Sequence, residues 1–268
     1  MSGSRSGPPK VVATDLDGTL LHSDGTVSPR TRAVLARAEE SGATVVFVSG
    51  RPPRWIDVLA SEVGSHGLAI CANGALVYDV RRREVVEEHG LPGDVALEVA
   101  RAIRASVPGA TFAIERRLTF GQEPSFRGTW PAPDGTVIAS LEELLAEPVS
   151  KLVVTHPELD AREFVSRAAA VVGSLAAATY SGHAPVLEVS RAGVSKASAL
   201  AALCGSLGVD AHDVVAFGDM PNDVPMLTWA GTSYAVRNAH PDAVAAATHR
   251  CASNDEDGVA QVLERLFP

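Results

Sequence analysis

The stretch VVATDLDGTLLHSDG, Val11–Gly25, decides how this chain is read. The β-branched run from Lys10 to Leu16 has the look of a strand buried on both faces. It nevertheless delivers two aspartates, Asp15 and Asp17, with Gly18 and Thr19 directly behind them. An apolar strand gains nothing from charge at its end. A plain turn would explain the pair through local hydrogen bonds around Gly18. That reading loses ground because Asp219 and Lys196 recur at comparable places further on.

Working outward, Ser28-Pro29 opens a helix as N-cap and first-turn proline, Val34, Leu35 and Ala38 give its apolar stripe, and Gly42 stops it. TVVFVSG (Thr44–Gly50) predicts a second buried strand, Pro53–Val63 a second helix through Ile56 and Leu59, and GLAICANGA a third strand. Strands and helices alternating at this rhythm imply parallel βαβ units. The rhythm changes near Arg81. A strand at Glu84–Glu88, a helix carrying Val95, Val99 and Ile103, short strands near Thr111–Ile114 and Leu118–Phe120, and an irregular Gly/Pro stretch follow. A short helix at Leu141–Ala146, the strand KLVVTH, a helix over Arg162–Val172 and two strands flanking SGHAP complete the insert. The first rhythm then returns with a helix to Leu207, the strand DVVAFGD, another helix, the strand SYAV and a closing helix to Phe267. The expected organisation is an α/β protein: a Rossmann-like parallel-sheet core over 1–80 (1–9 a disordered tail) and 184–268, split by an inserted α+β domain over 81–183.

The bulk properties narrow the function. A net charge of −9 over 268 residues, with no basic run, argues against nucleic acid or an anionic membrane surface as partner. Three cysteines without CxxC spacing fit a reducing compartment, the N-terminus lacks the apolar region of a signal peptide, and no apolar run approaches spanning length. A soluble, cytoplasmic protein is expected. No GxxxxGK[ST] or HExxH occurs, which removes P-loop and zincin chemistry.

Ligands of open parallel sheets bind beyond the carboxyl ends of the strands. Those ends deliver Asp15 and Asp17, then Ser49, Gly50 and Arg51, then GDMPND with Asp219, Asn222 and Asp223, while Lys196 opens the helix after the insert. Four carboxylates in one crevice repel one another unless a divalent cation sits among them. All-oxygen ligands suit Mg²⁺ together with a substrate phosphate. A hydroxyl, backbone amides and a lysine would complete an anion cradle, and the whole describes phosphoryl transfer. One of the paired aspartates can attack phosphorus while the other exchanges the proton. Arginine is the habitual cation here, with lysine only at positions 10, 151 and 196, so Lys196 beside a phosphate is favoured over a solvated helix residue. Arg51 is either a substrate contact or the partner of a neighbouring carboxylate. His22 near the aspartates carries no ligand spacing, and Trp130 reads as a core anchor of the insert more readily than as a sugar platform.

DLDGTLL, VSGRP, GVSK and GDMPND resemble, in order and spacing, the four motifs of the haloacid dehalogenase superfamily, and CANGA and EDGVA look like its Cof-type branch of sugar-phosphate phosphatases with a type IIB cap. The resemblance spans Val11–Ala75 and about Val186–Ala260. It implies Asp15 as nucleophile, Asp17 as general acid/base, and Mg²⁺ held by Asp15, the Asp17 main-chain carbonyl and Asp219. It further implies Ser49, Gly50 and Lys196 on phosphate, Asn222 on phosphate or substrate, Asp223 as the orienting residue, and the insert as a cap closing over a small phosphorylated metabolite. The expected activity is phosphate-ester hydrolysis through an aspartyl-phosphate. The alternative on the same core is a phosphomannomutase-like transferase. A signalling receiver shares the acidic pair, hydroxyl and lysine, but is much shorter and lacks a hundred-residue insert.

Overall fold

The computed structural model describes residues 7–63, 67–128, 130–180 and 186–268, with the side chains of 60–63 left aside. Most of the expected N-terminal tail and the SGHAP segment lie outside the described residues. The chain divides into two compact units, Met1–Glu87 with Ser195–Pro268, and Glu88–Val194.

The first unit is built on an eight-stranded sheet. From one edge its order is His249–Arg250, Thr232–Ala235, Val214–Gly218, Val11–Thr14, Thr44–Val48, Leu68–Cys71, Leu76–Asp79 and Glu84–Glu88. The pairings are parallel from the first strand through Leu68–Cys71, after which Leu76–Asp79 returns antiparallel. The β-branched run reads correctly as doubly buried: Val12 packs with Val45, Phe47 and Phe217 in one cluster, while Val11 and Ala13 pack with Val46, Val48 and Ile70 in another. Alternate residues of one strand thus feed opposite faces, as the pleat requires.

Helices cover both faces. Pro29–Glu40 starts where expected, the Ser28 side chain accepting the Thr31 amide, and buries Val34, Leu35 and Ala38 in the first cluster. Lys196–Leu207 starts at a capping box in which Ser195 accepts the Ser198 amide, and it buries Ala199, Leu200 and Leu203 in the second. That cap fixes Lys196 as the first residue of its helix, which matters for the site.

The second unit holds a six-stranded sheet in the order Ala176–Tyr180, Val186–Arg191, Lys151–Thr155, Thr111–Arg116, Thr119–Gln122 and Val137–Ile138. Helices Gly93–Ser106 and Ala161–Val172 pack Val99, Ile103, Phe164 and Ala168 on Phe112, Ile114, Leu152, Val154, Leu187 and Val189. Trp130 packs with Phe126 on a smaller apolar cluster with Val153 and Val186, which is the core-anchor role. The architecture is a Rossmann-like core with an inserted cap sub-domain.

Two strands fall on the other side of the expected division. Glu84–Glu88, read as part of the insert, is the outer strand of the core sheet, and Val186–Arg191, placed beyond residue 184, pairs with Lys151–Thr155 in the insert's sheet. The charged run Arg81–Arg83 is the tip of a reversal between two core strands, with Arg83 at φ 56, and not a domain edge. Among the described residues, no helix is long and apolar enough to cross a membrane.

Candidate active site

Three neighbouring parallel strands end side by side, and each is followed at once by a polar residue. Asp15 follows Val11–Thr14, Ser49 follows Thr44–Val48, and Asp219 follows Val214–Gly218. The Asp15 amide still donates to the Phe217 carbonyl at 3.0 Å, so the sheet itself holds its backbone. Beyond Asp15 the chain turns sharply over Leu16–Leu20, the Leu21 amide returning to the Leu16 carbonyl at 2.9 Å. Gly18 sits at φ +75, and a Cβ there would lie 2.6 Å from Asp219 Oδ2. Both the conformation and the space require glycine.

Lys196 is 2% exposed and donates to Asp15 Oδ1 at 2.5 Å and to Asp223 Oδ1 at 2.6 Å. Asp223, fully buried, accepts the Asp219 and Met220 amides on its other oxygen, both at 3.0 Å. Asp219 accepts the Thr19 hydroxyl at 3.0 Å on Oδ1, and its carbonyl accepts the His240 amide at 2.7 Å. Asp15, Asp219 and Asp223 each offer a carboxylate oxygen within 4.8 Å of the others.

The electrostatics of this group are unbalanced. Burial, and then the neighbouring Asp223 and Asp219, push the Asp15 carboxyl well above its ordinary range, against the pull of Lys196. Burial and Asp223 push Asp219 up to about 6, against the Thr19 hydrogen bond and Lys196. Burial acts to lower the Lys196 ammonium, but Asp15 and Asp223 outweigh it and hold it above its ordinary value. Three carboxylates against one ammonium leave a formal −2 when all are ionised. A divalent cation cancels that charge, and a set made only of oxygens fits a hard one. Asp223 already spends both oxygens on Lys196 and two amides, so Asp15 and Asp219 are the carboxylates better placed to take the ion, with Asp223 bracing them.

The remaining candidates divide into two groups. Ser49 is buried, and its Oγ accepts the Arg51 amide at 3.0 Å. A Cβ on Gly50 would meet Asn73 Oδ1 at 3.1 Å, and that same oxygen accepts Asn222 Nδ2 at 3.2 Å. Asn73 therefore links the VSG and PND segments. Asp17 and Arg51 stand apart from the acidic group: the Arg51 Nε and Nη2 donate to the two Asp17 oxygens at 2.7 and 2.5 Å, and the Asp17 side chain is 54% exposed. His22 is taken by Asp257 at 2.9 Å.

Sequence reading passed over Asn73, Thr19 and Asn238. Asn73 had a usable signal in CANGA, because asparagine before glycine suits the left-handed backbone seen at Asn73, φ 56. Asn238, which donates to the Gly18 carbonyl at 2.7 Å, lies in an unpatterned loop with no sequence signal.

The family model for haloacid dehalogenase-like hydrolase matches residues 12–263. The chain belongs to the haloacid dehalogenase-like hydrolases. It is 30% identical over 266 residues to the pyridoxal phosphate phosphatase YbhA of Escherichia coli, covering 95% of this chain and 97% of that one. It is 27% identical over 266 residues to the 5-amino-6-(5-phospho-D-ribitylamino)uracil phosphatase YitU of Bacillus subtilis, covering 97% and 98%. Among solved structures, a haloacid dehalogenase-like hydrolase from Bacteroides thetaiotaomicron superposes with a TM-score of 0.78 at 28% identity, covering 97% of this chain and 100% of that one. SMU.1108c from Streptococcus mutans superposes with a TM-score of 0.82 at 25% identity, covering 96% and 98%. The family and its buried aspartate cluster make this haloacid dehalogenase-like hydrolase a phosphoric monoester hydrolase.

Proposed function

We propose that the chain is a Mg²⁺-dependent phosphatase of small phosphorylated metabolites, working through an aspartyl-phosphate on Asp15. The observation that carries this reading is the buried Asp15 carboxylate, held by Lys196 within one acidic cluster with Asp219 at the ends of adjacent strands. Asp15 attacks phosphorus, the ester P–O bond breaks, and Asp17 gives its proton to the departing oxygen. Asp17 then takes a proton from water, the water oxygen attacks phosphorus, and the Asp15–phosphorus bond breaks to release free phosphate.

Lys196 holds Asp15 and Asp223 in place and offers its charge to the phosphoryl oxygens, joined by the Ser49–Gly50 segment and Asn222. Asp15, the Asp17 carbonyl and Asp219 would hold the Mg²⁺, whose chemistry is to offset the crowded negative charge of carboxylates and phosphate. Selectivity is assigned to the insert. Sugar phosphates are the class expected from the resemblance, and the names of the relatives add pyridoxal phosphate and a phosphorylated ribitylamino-uracil to the candidates.

The test is turnover of a panel of these esters in ¹⁸O-water, with and without a chelator. Free phosphate carrying the label, abolished by chelation and restored by Mg²⁺, is the expected result. Isomerised sugar phosphate with negligible free phosphate would instead make the protein a mutase, and full activity in chelator would remove the metal.

A further inference from the structure

Arg51 donates hydrogen bonds to both carboxylate oxygens of Asp17. Asp17 lies on the turn over Leu16–Leu20, outside the acidic cluster and largely exposed. A carboxylate so placed is free to rotate unless something grips it, and proton transfer tolerates little misplacement. Arg51 supplies the grip through two parallel hydrogen bonds, Nε to Oδ2 at 2.7 Å and Nη2 to Oδ1 at 2.5 Å. Its own backbone is tied down on both sides: the amide donates to Ser49 Oγ at 3.0 Å, and the carbonyl accepts the Ala72 amide at 3.0 Å. The guanidinium also lies 5.7 Å from the Trp55 ring centroid. The fork is therefore anchored to the same strand end that presents Ser49.

The geometry points to Arg51 as a positioning residue for Asp17, and away from a phosphate-binding role for its side chain. The inference rests on the proposed role of Asp17 as proton donor. A planar fork orients a carboxylate in a way that a point charge cannot, so lysine at this position would keep the charge and lose the function.

The test compares Arg51→Lys and Arg51→Met with the unmodified protein on two Mg²⁺-supplemented substrates. One is p-nitrophenyl phosphate, whose leaving group departs without a proton; the other is glycerol phosphate, whose alkoxide leaving group needs one. A residue acting through the proton donor lowers the ratio of glycerol phosphate kcat to nitrophenyl phosphate kcat, here by about tenfold or more in both variants. In an Asp17→Ala background the same substitutions should move that ratio no further. Inhibition by inorganic phosphate should keep its strength. Equal losses on both substrates, recovery of the ratio by lysine, or weakened phosphate inhibition with an unchanged ratio would each overturn the inference. Where glycerol phosphate is not turned over, the best alkyl phosphate of the panel above takes its place. Should the unmodified protein hydrolyse no ester of that panel, the phosphatase reading falls and takes this one with it; activity on both substrate types with an unmoved ratio sinks the positioning role alone.

Discussion

At the scale of single residues, the site is a problem of buried charge. Asp15, Asp219 and Asp223 are 5%, 7% and 0% exposed, and one ammonium serves Asp15 and Asp223 directly. Taking carboxylates out of water costs several kcal/mol each unless charge and hydrogen bonds compensate. Asp223 is compensated in full by Lys196 and two amides; Asp219 has a hydroxyl and a raised pKa. The sign for Asp219 follows from linkage. Its carboxyl binds a proton more tightly in the folded metal-free protein than in the unfolded chain, so that contribution is present below the ordinary value of 3.8 and is lost as pH rises through about 6. Denaturant titrations of the chelated protein and of Asp219→Asn should therefore differ by an amount that shifts against the unmodified protein as pH rises from 3.8 through about 6, with saturating Mg²⁺ removing that shift. A difference between the two proteins that stays constant over that window would contradict the raised carboxyl.

At the scale of elements, the strand ends and two turns make the geometry. The turn after Asp15 works only because Gly18 takes φ +75 and leaves the space that Asp219 Oδ2 occupies. Gly18→Ala should therefore cost stability by about 1–2 kcal/mol through the backbone alone and displace Asp219 as well. The expected outcome is a folded protein with a raised Mg²⁺ requirement; a variant with unaltered stability and metal dependence would remove the reason given for this glycine. This turn was legible in DLDGT because glycine after paired aspartates has few other uses. The helix starts at Ser28 and Ser195 were legible for the same kind of reason, a cap residue before an apolar stripe. The hairpin strand Leu76–Asp79 was not. Its residues are buried and apolar like the parallel strand before it, and composition does not distinguish a returning antiparallel strand from a continuing one.

At the scale of the whole molecule, what the sequence revealed and what it hid have one cause. The ends of Val11–Thr14, Thr44–Val48 and Val214–Gly218 carry chemistry that breaks the local apolar pattern, so Asp15, Ser49 and Asp219 stand out. The pairings around them, Asn73 with Asn222 and Arg51 with Asp17, join segments far apart in the chain, so the sequence offered a carboxylate partner for Arg51 only as one of two readings and CANGA signalled the backbone of Asn73 without its partner. The insert's limits lie elsewhere than the change of rhythm near Arg81 suggested, because Glu84–Glu88 joins the core sheet and Val186–Arg191 the insert's, and a strand's sequence does not say which sheet it joins. Everything proposed for the reaction depends on the phosphoryl group passing through Asp15 before it reaches water. Two successive in-line displacements at phosphorus restore its configuration, whereas direct attack by water inverts it. The decisive measurement is the stereochemical course of hydrolysis of an isotopically chiral phosphorothioate ester in labelled water. Overall retention at phosphorus is the result expected of an Asp15 intermediate, and overall inversion would contradict it.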